Sequence, residues 1–527
     1  MRSVKSLLTE FIIQLKKIKP ATLLAILLLL GLVMRLPQLD GSLWLDEAAQ
    51  ALESARPFSQ QLQIRDDFQP PLIHLIVFVL LRVSNHEAWL RLGAALIPGL
   101  VTLWATIKIG QKYFSAGTGW MAGLLLATSS FHIFYSQELR PYSLPTVFAL
   151  LSWLQILSFG QKGAFAWQKY IWLGFWSALG LYSSYLYPFV LVGQFCYVIF
   201  THLRNRTVLA GFVISNLLAV LSFAPWVPSF LDQVQAGQQL RATFPGWEEV
   251  VSFTQLKALG LTVGKFIYGV LDLSADPLYF ITFGGIVVLG LYLTWKLRHQ
   301  RSFWQKSFLL LCWGVIPIAL AWVVSFWIPI LQPKRVLFAL PAFYLAFSYL
   351  ITQAIEKKAI TLRWSGISLG LLLLLINLFS SFSYFTQTKY QRENWREVHA
   401  YIDEKYSPAD SIVLFSFPQE FASWAWYNDT NFPTAATGVF IVSHDPASPE
   451  RQLIKQLTDY DYILVFDYLQ DLSDPERIIQ ADLERYGFQQ VDVIQGNAPL
   501  GMIRVYAQAR QIIGFSQYCR SCYEDRH

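Results

Sequence analysis

Residues 70–83 read Pro70-Pro-Leu-Ile-His-Leu-Ile-Val-Phe-Val-Leu-Leu-Arg-Val83, and whether this run crosses a membrane decides the orientation of every segment after it. Fourteen residues of helix reach about 21 Å, short of a hydrocarbon core about 30 Å thick. If the run crossed, Lys108, Lys112, Lys162, Lys169, Arg204 and Arg206 would fall on alternating wrong sides, against the cytoplasmic preference of Lys and Arg in short loops. The run therefore reads as a juxtamembrane or re-entrant helix on the outer face.

Working outward, the chain has 527 residues, 54% hydrophobic and 14% charged, with a mean hydropathy of +0.38. That charge content is far below the usual share of about 25% and excludes an ordinary soluble protein. The apolar excess falls into eleven runs, near 20–36, 89–110, 118–135, 141–159, 169–186, 188–203, 208–229, 277–296, 307–328, 335–354 and 364–384. The expected architecture is a polytopic α-helical membrane protein. Nineteen Trp, 25 Tyr and 39 Phe cluster toward the run ends, where amphipathic rings favour the membrane interface. The basic residues of the cytoplasmic segments run from Arg2 to Lys19, then Lys108 to Lys112, Lys162 to Lys169, Arg204 to Arg206, Lys296 to Lys306 and Lys357 to Arg363, opposed only by Glu10 and Glu356. The net charge of +6 thus orients loops. No nucleic-acid-binding motif or basic aromatic stripe is present in the pattern. The first run lacks a small-residue cleavage site and reads as a retained span.

The chain divides into a cytoplasmic N-terminal segment 1–19, a membrane domain 20–384 with a first outer loop 37–88, an extracytoplasmic α/β domain 385–510 and a tail 511–527. Strand-like runs at 411–415, 462–466, 491–494 and 502–506 alternate with helical patterns at 395–405 and 450–457. Cys196 and Cys312 lie in apolar runs as small packing residues. In the tail, Cys519-x-x-Cys522 is a disulfide, half a metal site or neither.

Several polar clusters emerge on the outer face in this topology. Asp46 and Glu47 sit in Gly41-Ser-Leu-Trp-Leu-Asp-Glu-Ala-Ala49, an apolar and aromatic setting. A carboxylate there loses hydration and either finds a partner or shifts its pKa upward; as an alternative, Asp46 caps a helix or anchors the interface. Glu138 and Arg140 occupy the turn in Tyr135-Ser-Gln-Glu-Leu-Arg-Pro-Tyr142, either as a site or as a pair tied to neighbouring helices. Lys334 and Arg335 precede Val336 to Pro341 at an outer helix start, where the helix terminus adds partial positive charge and suits an anion. Asp66 and Asp67 read as a solvated loop pair. The Gln419 to Tyr427 stretch is aromatic enough to stack on a sugar, or forms a core helix or docking surface.

Taken in order, these motifs carry a resemblance. Leu-Asp-Glu-Ala-Ala, Asp66-Asp-Phe-Gln-Pro-Pro-Leu72, Ala88-Trp-Leu-Arg-Leu92, Phe131 to Tyr142, Lys334-Arg335 before Ala339-Leu-Pro341, and Trp395-Arg396 together resemble the GT-C glycosyltransferases. The nearest relatives would be bacterial proteins related to protein O-mannosyltransferases and lipid A aminoarabinose transferase. The resemblance covers residues 20–400. It implies a GT-C membrane domain of about eleven spans with juxtamembrane helices, acting in the plasma (inner) membrane on a polyprenyl-phosphate-linked sugar at the outer face. The first-loop acid of the family is the proposed general base and carries over to Asp46, with Glu47 adjoining it. Where the family usually has His-Pro-Pro, this chain has Gln69-Pro70-Pro71, a neutral amide in place of a titratable group.

The chemistry fits these residue types. A base takes the proton of the attacking acceptor hydroxyl, worth about 10²–10⁴ in rate, and cations receive the departing phosphate, a task suited to the planar fork of Arg. Arg140, Lys334 and Arg335 are the expected phosphate ligands, with Glu138, Tyr142, Gln69 and Asp67 in support. A single carboxylate and one displacement predict inversion. Nothing in the residues calls for a metal, and no cofactor is required beyond the lipid-linked donor. The acceptor is a lipid, glycan or protein hydroxyl or amine; membrane lipids are the surroundings and nucleic acid is no partner. The competing classes are a transporter or flippase of lipid-linked sugars, for which the expected internal repeat is missing from the sequence, and a receptor or scaffold using the outer domain.

The topology has a direct check. In a background without native cysteines, Asn85→Cys should react with an impermeant maleimide added outside, and His299→Cys only after permeabilisation; the reverse pattern would mean that residues 70–83 cross.

Overall fold

The computed structural model describes residues 19–64, 67–159, 166–243, 255–272, 276–300 and 302–508. Asp66, most of the basic N-terminal segment and the Cys519-x-x-Cys522 tail lie outside the described residues. The chain forms two compact units, one of residues 1–39, 59–234 and 251–386, the other of 40–58, 235–250 and 387–527.

In the first unit, helices occur at each of the eleven apolar runs. Among the described residues six are long and apolar enough to cross a membrane: Glu87–Tyr113, Arg206–Gln239, Pro277–Leu297, Phe303–Val324, Pro333–Ile355 and Ile360–Thr386. Shorter helices fill Pro20–Val33, Ala116–Ala127, Ser143–Leu157, Ala166–Leu181 and Tyr187–His202. The run at 70–83 forms the helix Leu72–Leu81, about 15 Å long at 1.5 Å per residue, too short to span. Leu218, Ile281, Val288, Leu291, Phe379 and Phe382 are exposed on their helices, as lipid-facing side chains are. Cys312 is buried, Cys196 half-buried, and both are free thiols.

One run differs from expectation. Residues 118–135 read as a single span, but the helix Ala116–Ala127 stops and a second one, Ser130–Tyr135, begins after the Ser129 cap. A helix end leaves its last carbonyls without intrahelical partners, and in an apolar interior each such group costs several kcal/mol. Here the side chains answer them. Asn377 donates to the Leu125 carbonyl at 2.9 Å, Arg35 to Ala127 at 3.3 Å, and Ser381 to Thr128 at 2.9 Å. The break is affordable because polar residues of the turn after the first helix and of the helix Ile360–Thr386 receive it.

The second unit is an α/β domain. Strands β1 Ser411–Phe415, β2 Thr434–Ala436, β3 Tyr462–Phe466, β4 Phe488–Gln495 and β5 Met502–Gln508 form one sheet in the order β2-β1-β3-β5-β4. β1 runs parallel to β2 and β3, while β5 is antiparallel to β3 and β4. The interior strand β1 is buried throughout and alternates its side chains between two cores. Val413 and Phe415 face Trp395, Ile402 and Trp424; Ile412 and Leu414 face Ile454, Ile479 and Leu483. The aromatic stretch near 419–427 is thereby a core helix, Ala422–Tyr427, with Trp424 buried. The helix Leu45–Ala55 of the first loop belongs to this unit, Leu45 packing on the Trp395 core.

Close helix packing in the first unit relies on glycine. A Cβ on Gly110 would stand 2.5 Å from the Gly119 Cα, and one on Gly119 2.6 Å from the Ile107 carbonyl oxygen. Small residues let helix backbones approach this way. Gly119→Val should lower the melting temperature in detergent, by the equivalent of about 1–3 kcal/mol of overpacking or more, whereas Gly260→Ala, with nothing within 4 Å of its Cβ position, should not.

Candidate functional site

In the second unit the cluster grows from the helix Leu45–Ala55, whose first turn carries Asp46 and Glu47 with Trp44 as N-cap. Asp46 is therefore not the cap; it lies inside the first turn, where a carboxylate meets the positive end of the helix. The two acids differ. Asp46 is half-buried; the Tyr468 hydroxyl's pKa is raised by burial first, then by Glu393, with the Asp46 charge adding a smaller push. Glu47 is fully buried and faces Arg392 Nε at 3.4 Å. The segment leading into the helix is pinned: the Ser42 hydroxyl donates to the Glu393 carbonyl at 2.7 Å, the Leu43 N–H to the Tyr427 hydroxyl at 2.7 Å, and Arg396 to the Asp40 carbonyl at 3.2 Å.

Glu393 completes the cluster. Its Oε1 accepts from the Tyr468 hydroxyl at 3.1 Å. Burial first, and the neighbouring Glu47 charge as a lesser cause, push its carboxyl up to about 7, against the lowering effects of its hydrogen bonds and of Arg392. Arg392 thus stands beside two buried carboxyl groups, those of Glu47 and Glu393.

In the first unit a second cluster surrounds Asp67. Arg140 grips its carboxylate with two parallel bonds of 3.0 Å, the bidentate geometry of the strong ion pairs. His74 Nε2 lies 3.4 Å from Asp67, and the Gln69 amide donates to the same carboxylate and lies 3.1 Å from His74 Nε2. Burial alone would raise the Asp67 carboxyl, but Arg140 and His74 outweigh it and hold it at about 2. The solvated loop pair expected at Asp66-Asp67 is thus incorrect for Asp67, whose side chain is only 14% exposed. Behind it, the Gln233 amide donates to the Ile64 and Gln69 carbonyls at 2.9 and 3.3 Å, and the Tyr185 hydroxyl donates to Gln233 at 2.7 Å.

The remaining expected residues also lie in the first unit. Glu138 is buried in the turn before the helix Ser143–Leu157, and Tyr142 is the residue preceding that helix. Lys334 Nζ stands 5.5 Å from the Tyr142 ring centroid, within cation–π range, and Tyr142 in turn meets the edge of Tyr135. Arg335 donates to the Pro329 and Ile330 carbonyls at 3.4 and 3.5 Å. Lys334 and Arg335 do not open an α-helix directly: they begin the 3₁₀ segment Pro333–Ala339, and the α-helix starts at Leu340. Among the described residues no group of three or more His, Cys, Asp or Glu could hold a metal.

Several residues of these clusters are absent from the sequence reading: Arg392, Glu393 and Tyr468 beside Asp46, and His74 beside Asp67. Arg392-Glu393 stands three residues before the noted Trp395-Arg396, and its mixed charge in an aromatic stretch was the available signal. Tyr468 gave none, because nothing local marks a tyrosine whose partner is 75 residues away.

The Glu393 carboxyl makes stability depend on pH. Its folded pKa of about 7 exceeds the unfolded value near 4.3, so folding favours the protonated form. The cost of ionising it is absent below about pH 4, grows as pH rises and is complete above about pH 7. The expected size is up to about 3 kcal/mol at one pKa unit per 1.36 kcal/mol. Glu393→Gln should flatten the fall in thermal stability between pH 5 and 8; an unchanged slope would show that another group sets it.

Comparison with known proteins agrees with this architecture. The family model of the dolichyl-phosphate-mannose-protein mannosyltransferases matches residues 68–228. No curated protein matches in sequence. Among solved structures, apo ArnT from Cupriavidus metallidurans is similar with a TM-score of 0.54 at 11% identity, over 92% of this chain and 97% of that one. The same protein bound to undecaprenyl phosphate gives 0.53 at 11% identity, over 93% and 98%. The oligosaccharyltransferase of Archaeoglobus fulgidus gives 0.52 at 13% identity, over 92% of this chain and 73% of that one. The chain thus shares the fold of these proteins along nearly its whole length, and residues 68–228 carry the pattern of the mannosyltransferase family model.

Proposed function

We propose that the protein is an inverting glycosyltransferase that moves a sugar from a polyprenyl-phosphate carrier to an acceptor hydroxyl or amine at the extracytoplasmic face of the plasma (inner) membrane. The observation that supports it most is the fold shared over 93% of the chain with a structure that holds undecaprenyl phosphate.

In this reading the Asp46 carboxylate takes the proton from the acceptor as its oxygen or nitrogen attacks the anomeric carbon. The bond from that carbon to the phosphate oxygen breaks, and its electron pair leaves with the polyprenyl phosphate. The leaving group is already a stable anion, so no general acid is needed. Asp46 suits the base because it is the less buried member of its pair, while Glu47, buried against Arg392, holds the helix that presents it. The departing phosphate is assigned to Arg140, Lys334 and Arg335. Asp67 fixes the Arg140 guanidinium by its two-point grip, with Gln69 supporting Asp67; Tyr142 steadies the Lys334 ammonium, and Glu138 orients the turn that carries Arg140. Holding such groups before the reaction avoids reorganisation in the transition state.

The reading predicts that Asp46→Asn, reconstituted in liposomes with radiolabelled polyprenyl-phosphate sugar, loses transfer by about 10²–10⁴ at unchanged expression and melting temperature. Wild-type turnover in that variant would make Asp46 structural.

A further inference from the structure

We infer that Gln137 is a positioning residue for the first loop: its buried amide holds the turn 35–38 that precedes the Asp46 segment in the chain. The inference rests on the reading of Asp46 as base.

Gln137 lies between Ser136 and Glu138 in the turn after the helix Ser130–Tyr135 and is fully buried. Its Nε2 donates to the Arg35 carbonyl at 2.8 Å and to the Pro37 carbonyl, and its Oε1 accepts from the Tyr384 hydroxyl at 3.0 Å. The next alternate carbonyl, that of Leu39, takes Arg91 at 2.9 Å. The turn so held is not relaxed: Gln38 sits at φ +66°, a left-handed conformation that a side chain other than Gly adopts at a cost. Such a residue persists only where its surroundings over-determine it, and such residues gather at functional sites. Packing alone does not require an amide at 137, since a leucine would fill similar space. What the amide adds is the pair of donors on either side of Leu36, immediately before the strained residue. Eight residues further on stands Asp46.

The two arms of Gln137 can be separated. Gln137→Glu keeps the size and the acceptor facing Tyr384 but replaces the donors with an anion set against two carbonyls. Tyr384→Phe removes only the other arm. Gln137→Glu should lower kcat about a hundredfold, as a displacement of about 1 Å at a reacting group does, leave KM for the lipid donor within about threefold, and speed amide exchange in the peptide spanning 36–50. Tyr384→Phe should do none of these. Adding Gln38→Gly to Gln137→Glu should recover part of kcat, because glycine adopts the left-handed turn without strain. Should Gln137→Glu fail to fold, Gln137→Asn, an amide too short to reach both carbonyls, takes its place with the same expectation. Unchanged kcat and exchange in the position-137 variant, or an equal fall in Tyr384→Phe, would overturn the inference. Faster exchange in 36–50 with no transfer even by the wild type would instead overturn the glycosyltransferase reading and leave the pinned turn standing.

Discussion

The constraint behind the membrane unit is that a backbone carbonyl in an apolar interior has no water to turn to. The end of the helix Ala116–Ala127 shows how the chain meets it. Four successive carbonyls, Leu125 to Thr128, receive Asn377, Arg35 and Ser381. These donors come from the turn after the helix Pro20–Val33 and from the helix Ile360–Thr386, so satisfying one helix end binds three parts of the sequence together. Ser380 extends the seam, donating to the Tyr268 carbonyl and meeting Ser130. Because the helix can stop there, the turn 136–142 that follows can carry Gln137, Glu138 and Arg140.

The two clusters of ionisable groups illustrate opposite outcomes of the same electrostatics. Asp67 has a guanidinium with matched two-point geometry and an imidazole close by, so attraction exceeds the penalty of burial and the acid is held ionised. Glu393 shares Arg392 with Glu47 and has only a tyrosine hydroxyl to itself, so burial prevails and it stays protonated toward neutral pH. The helix that bears Asp46 is thereby fixed by one compensated charge and one neutral acid, and no uncompensated buried anion is left to drive the segment out of its core.

Much of this was legible in the residues. Lengths of apolar runs located the eleven main helical segments of the membrane unit, since a bilayer sets a minimum span that composition alone records, but not the helix Gln255–Tyr268 or the break before Ser130. The buried strands β1 and β3 read correctly because continuous Ile, Val, Leu and Phe leave few other states. The short β2, Thr434–Ala436, was not legible: three small residues carry no period, and β1 recruits them as a partner. The fate of Asp67 was hidden for a related reason. A carboxylate beside another in a polar loop looks solvated until Arg140, 73 residues later, closes on it.

The sequence by itself determined that the chain is a helical membrane protein with an α/β domain, where most of its membrane helices lie, and which acidic and basic residues could serve sugar transfer, because hydropathy and residue chemistry are local properties. Only the tertiary structure decided that residues 40–58 belong with the α/β unit, that Glu47 is buried while Asp46 is not, that Arg392, Glu393 and Tyr468 join them, and that Gln137 holds the left-handed turn at Gln38. Those outcomes depend on hydrogen bonds and ion pairs between segments far apart in the chain, and which partners meet is set by packing.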